Sequence, residues 1–85
     1  QPVFRVADDT GYSDSLMHKL LEEAQEVVDA PNKCELTEEL ADLLEVIDAI
    51  KALHNIDEDT LQYWKKRKAL LSGGFKKRHI LVIEE

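Results

Sequence analysis

Leu20-Leu21-Glu22-Glu23-Ala24-Gln25-Glu26-Val27-Val28, then Pro31-Asn32, then Glu38-Glu39-Leu40-Ala41-Asp42-Leu43-Leu44 is the stretch that decides the fold. Each residue of an α-helix turns the side-chain direction by about 100°. On that spacing Leu16, Met17, Leu20, Leu21, Ala24, Val27 and Val28 fill one arc of a helix, with Glu23 and Glu26 at its border. Beyond the break, Leu36, Leu40, Leu43, Val46, Ile47, Ile50 and Leu53 fill the arc of a second helix. Glu39 falls inside that arc and Asp42 at its edge, whereas Glu22, Glu38 and Glu45 point away. A carboxylate within an apolar arc is costly unless it is paired or binds a metal.

Working outward, Ser13 or Asp14 is the expected N-cap of the first helix, which runs to about Ala30, where Pro31 stops it. The second helix is expected from about Leu36 to His54, with Thr37 near its start. Asn55-Ile56-Asp57 reads as a tight connection and Asp57 as the N-cap of a third helix. Glu58 and Asp59 would complement its positive end, and Lys65, Lys66, Arg67 and Lys68 its negative end. Ser72-Gly73-Gly74 is a helix stop. Asp8-Asp9-Thr10-Gly11 reads as a loop, and Val3-Phe4-Arg5-Val6 and His79-Ile80-Leu81-Val82-Ile83 as short extended ends. The expected fold is therefore all-α, a bundle of three main helices with short extended ends in a single domain. Because 85 residues bury too little surface to be robust alone, helices from several copies would make up the deficit.

Composition narrows the function. Hydrophobic residues at 44% are too many for a disordered chain. No apolar run approaches the roughly 18 residues of a membrane span, and no signal peptide is evident. One cysteine, Cys34, excludes an internal disulfide, so a cytoplasmic location is the expectation. A net charge of −7 argues against a nucleic-acid partner, which needs a basic footprint. The charge is also segregated. Ten carboxylates and a single cation, Lys33, lie between Glu22 and Asp48, while seven cations and no carboxylate lie between Lys65 and Arg78. Any one such acid is most often a solvated surface group. Two i, i+3 pairs beside the buried faces of neighbouring helices would instead converge into a hard-oxygen site suited to Mg²⁺, with Mn²⁺ as a substitute. Tyr63 and Trp64 could stack on a base, although an aromatic at Trp64's position is more often core.

Glu22-Glu23-x-x-Glu26 followed by Glu39-x-x-Asp42 resembles the EExxE…ExxD pattern of the MazG-like, phosphoribosyl-ATP pyrophosphohydrolase-like superfamily. The stretch from Lys66-Arg67-Lys68 to Ser72-Gly73-Gly74-Phe75 also looks like the short single-domain members, and the resemblance spans roughly residues 5–83. The basic opening segment K-L-V-R-D-K-I-P of short relatives does not occur here. The resemblance implies that Glu23, Glu26, Glu39 and Asp42 bind Mg²⁺ and carry catalysis in a homodimer or homotetramer, whose four-helix-type core is completed by oligomerisation. It further implies hydrolysis of a nucleoside triphosphate to the monophosphate and pyrophosphate, as in nucleotide-pool cleansing. Lys65, Arg67 and Lys68 are candidates for contacting the triphosphate. The competing expectations are a phosphoribosyl-ATP pyrophosphohydrolase and a non-catalytic helical module that binds a protein.

Overall fold

The computed structural model describes residues 9–72, and all the regular structure among them is helical: α1 (Asp9–Asp29), α2 (Lys33–Leu53) and α3 (Glu58–Ser72). The expected extended ends, Val3 to Val6 and His79 to Ile83, lie outside the described residues. The chain divides after Asn55 into two units, Gln1–Asn55 and Ile56–Glu85. The first carries α1 and α2, which pack on each other. The second carries α3.

Three residues, Ala30-Pro31-Asn32, connect α1 to α2, so the two helices form an antiparallel hairpin whose register the link fixes. Pro31 cannot extend α1 and holds Ala30 away from helical geometry. Asn32, in extended backbone at φ −152° and ψ 170°, then caps α2. Its side-chain Oδ1 accepts from the Glu35 N–H at 2.9 Å, and its carbonyl accepts from Leu36 N–H at 2.9 Å. This moves the start of α2 upstream of the expected Leu36. Thr37 lies inside the helix, its hydroxyl donating to the Lys33 carbonyl at 2.8 Å, a back-bond typical of mid-helix threonine.

α1 also starts earlier than Ser13, and Asp9, Thr10 and Gly11 are helical rather than looped. A single glycine costs a helix only about 1 kcal/mol relative to alanine. The first turn of α1 lies beside the end of α2, where Thr10, Ser13, Asp14, Leu53 and His54 line a shared cleft. α2 ends at His54-Asn55, with Asn55 at φ 55° in the left-handed region that asparagine tolerates better than other side chains. Asp57 caps α3 as expected, its Oδ1 accepting from Thr60 N–H at 2.6 Å. That hydrogen bond holds the Asp57 carboxyl below its ordinary value. The cations of α3 do not reach its C-terminal turn, which carries no basic residue.

The hairpin uses only part of each apolar arc. Leu16 and Val46 are buried at its seam, and Leu20, Val27, Leu43, Ile47 and Ile50 are half-buried. Leu21 remains 69% exposed, Val28 76% and Leu44 60%. Trp64, expected in a core, is 51% exposed and sits edge-on to Tyr63 at 5.5 Å. No helix among the described residues is long and apolar enough to cross a membrane.

The cap assignment has a direct consequence. Asn32→Ala should destabilise the protein by about 1 kcal/mol, while Thr37→Ala, which removes no cap, should cost less than about half of that. Urea unfolding of the two variants beside the parent protein measures the difference.

Candidate metal centre

The hairpin register sets Glu23 and Glu26 of α1 opposite Asp42 and Glu39 of α2. Residues three apart on a helix are surface neighbours, so each helix contributes one pair and the antiparallel link brings the pairs together. One carboxylate oxygen from each of the four lies within 4.8 Å of the other three. Glu23 is 4% exposed, Glu39 is half-buried, and Glu26 and Asp42 reach the surface.

Charge and burial conflict at this point. Glu23 Oε2 and Glu39 Oε2 are both enclosed and have no hydrogen-bond partner. A buried oxygen left unpaired costs on the order of 1–3 kcal/mol, and more when charged. The crowding also appears in protonation. The Glu39 carboxylate, through hydrogen bonding and charge, raises Glu26 above the ordinary glutamate value, with desolvation adding to the effect. Glu23 supplies a smaller opposing hydrogen bond.

The donor set fits a hard divalent cation. All four groups are carboxylates, the oxygen ligands that Mg²⁺ and Mn²⁺ prefer, and the two orphaned oxygens are the kind of atom a cation satisfies. Glu22 stands apart, exposed and outside the group of four. Cys34 is exposed and free.

Two residues beside the cluster were missed by the sequence reading. Lys19 Nζ lies 3.1 Å from Glu23 Oε1 and 3.6 Å from Glu22 Oε2. Hydrogen bonding to Glu23 and the charges of Glu23 and Glu22 raise its pKa. Sequence reading credited the acidic region with Lys33 alone, because Lys19 precedes Glu22. The i, i+3 and i, i+4 spacing to Glu22 and Glu23 was the available signal. Glu45 points away from the apolar arc and is exposed, as expected, and it also lines an open cleft of about 370 Å³ with Lys19, Glu23 and Asp42. Its place one turn after Asp42 was the corresponding signal. Lys65, Arg67 and Lys68 are exposed on α3 in the second unit. There Arg67 lines a shallow cleft of about 270 Å³ with Tyr63, Lys66 and Leu70.

Comparison of the chain with protein-family models, with curated proteins and with solved structures returned no match.

The raised Glu26 pKa predicts a pH dependence. The folded protein takes up this proton at higher pH than the unfolded chain does, so its contribution to stability is complete below the ordinary value of 4.5 and is lost as pH rises through the raised value. Lys19 is raised above 10.5 and Asp57 lowered below 3.8, so neither titrates between these limits. With a chelator present, thermal unfolding should therefore move to higher temperature as pH is lowered through the raised value toward 4.5. Glu39→Gln should flatten that slope, since it removes the main cause of the shift. An unchanged slope in the variant would show that the carboxylates do not interact.

Proposed function

We propose that this chain is a Mg²⁺-dependent hydrolase that cleaves nucleoside triphosphates to the monophosphate and pyrophosphate. The observation that carries the reading is the gathering of Glu23, Glu26, Glu39 and Asp42, with two of their oxygens enclosed and unpartnered. An arrangement whose charges repel and whose buried oxygens lack donors is poor as a stabilising device. It is well suited to holding a cation. The resemblance of Glu22-Glu23-x-x-Glu26…Glu39-x-x-Asp42 to the MazG-like pattern supplies the reaction.

On this reading Glu23, Glu26, Glu39 and Asp42 hold Mg²⁺, and Mn²⁺ can substitute. When bound, the cation neutralises phosphate charge and acidifies water for attack at phosphorus. Glu23 and Glu39, the more enclosed pair, fix the position of the centre from opposite helices. Glu26 and Asp42 are open to solvent and leave room on that side for phosphate oxygens. The exposed cations Lys65, Arg67 and Lys68 suit a polyphosphate by charge.

A homodimer or homotetramer belongs to the same reading. Among the described residues of the two-helix unit, Leu16 and Val46 are the buried apolar side chains, a smaller core than a small domain usually has. Its surplus apolar surface at Leu21, Val28 and Leu44 is available to a second copy. That surface is also what a non-catalytic protein-binding module would offer, and the two readings part on turnover.

The deciding assay incubates the protein with canonical and modified nucleoside triphosphates, with and without Mg²⁺, and measures pyrophosphate, monophosphate and orthophosphate. Mg²⁺-dependent pyrophosphate release is expected. Glu39→Gln should reduce it by at least the roughly 10–100-fold that losing even an outer-shell metal contact costs. Orthophosphate with nucleoside diphosphate would mean that a different bond is cut. No turnover together with no Mg²⁺ binding would leave the interaction module.

In the same preparation, sedimentation should report a dimer or tetramer, and Leu21→Glu should shift it toward monomer.

A further inference from the structure

We propose that Lys19 is a substrate-binding residue that exchanges partners. It holds Glu23 until a divalent cation takes the carboxylate, and it then binds a non-bridging oxygen of the metal-bound diphosphate. The inference rests on the metal-dependent reading above and extends it to a group outside the four carboxylates.

Three observations lead to it. First, Lys19 and the carboxylates share one edge of the hairpin. Lys19 is one turn before Glu23 on α1 and 3.1 Å from its Oε1. The other oxygen of Glu23 is enclosed and unpartnered, and one oxygen of this carboxylate belongs to the group of four, so Glu23 is shared between an ammonium and the cluster. A cation bound there competes with Lys19 for Glu23.

Second, Lys19 is poised to leave. Its side chain is half-exposed, and it already divides its hold between Glu23 and the exposed Glu22. A lysine ammonium is a point charge with three donors on a flexible stem, so changing partners requires only rotation of that stem.

Third, the space and the charge are appropriate. The cleft of about 370 Å³ beside the cluster has Lys19, Glu23, Asp42 and Glu45 on its walls and Leu16 and Val46 among its lining. That volume lies within the roughly 300–1,000 Å³ of small-ligand clefts. Four carboxylates outweigh one divalent cation, and Glu45 adds a further negative charge, so a diphosphate anion entering here requires another positive group. Within the first unit, Lys51 lies against Asp48 at 3.8 Å. Lys33 opens α2, roughly 9 Å along the helix from Glu39. Among the described residues, Lys19 is the cation that lines the cleft.

The test is calorimetry on the full chain, with Mg²⁺ alone as titrant and then inorganic pyrophosphate in saturating Mg²⁺. The parent protein, K19M and K19R are compared, with K19Q in reserve if K19M does not fold by circular dichroism. Mg²⁺ should bind K19M as tightly as the parent protein or more tightly, because a competitor for Glu23 has gone. Pyrophosphate should bind K19M about tenfold more weakly, and K19R should recover part of the loss. A surface ion pair that merely supports α1 would not move the two affinities apart. Weaker Mg²⁺ binding by K19M, or pyrophosphate affinity within about twofold of the parent, overturns the role of Lys19 and leaves the metal centre standing. Mg²⁺ binding without any pyrophosphate binding by the parent protein has the same consequence. Failure of the parent protein to bind Mg²⁺ overturns the metal reading, and this inference with it.

Discussion

Like charges held together by a short link are the constraint on which the rest of the molecule depends. Ala30-Pro31-Asn32 allows α2 to start in one register against α1, and that register sets Glu39 and Asp42 against Glu26 and Glu23. One residue more or fewer in the link would rotate α2 by about 100° and carry its acids off the seam. The proline stop and the Asn32 cap are therefore as much parts of the centre as the carboxylates are. Both are local features, fixed by backbone chemistry, so the hairpin can impose a placement that the charges themselves resist.

The consequences divide between stability and binding. A fully enclosed and satisfied set of acids would have no affinity left for a cation. A fully solvated set would lose most of its strength to water. This hairpin lies between those limits, with Glu23 enclosed, Glu39 partly so, and Glu26 and Asp42 open. Lys19 moderates the conflict by pairing with the most buried of the four. Because it is half-exposed and shared with Glu22, it offsets part of the repulsion without locking the site shut.

Much of this was legible in the sequence. The all-α fold, the break at Pro31, the cap at Asp57 and the grouping of the four acids follow from periodicity and turn chemistry. The errors have physical sources. The expected start of α1 is late because Asp8-Asp9-Thr10-Gly11 carries turn chemistry, although one glycine costs a helix only about 1 kcal/mol and Asp9, Thr10 and Gly11 are helical. The expected start of α2 is late because Pro31-Asn32 reads as the end of the first helix, whereas the Asn32 side chain also caps the second. Lys19 was overlooked because charges were counted along the chain instead of around the helix. The exposure of Leu21, Val28 and Leu44 was beyond sequence reading, since an apolar arc does not state how much of it a single partner helix can cover.

That last point connects the two faces of the hairpin. On α1 the acids and Lys19 fall to one side of the Leu16–Val27 line, and Met17, Leu21 and Val28 fall to the other. On α2, Asp42 and Glu45 lie to one side of Val46, and Leu40, Leu44 and Ile47 to the other. Because the helices run antiparallel, their senses of rotation oppose. The two acidic flanks consequently share one edge of the hairpin and the two apolar flanks share the opposite edge. The exposures agree, with Leu21, Val28 and Leu44 open to solvent on the side away from the carboxylates. A second copy seated on the apolar edge would leave the acidic edge accessible while excluding water from behind the seam. Lower polarity behind Glu23 and Glu39 would strengthen their attraction for a cation. Assembly and metal affinity would then reinforce each other rather than compete for the same surface.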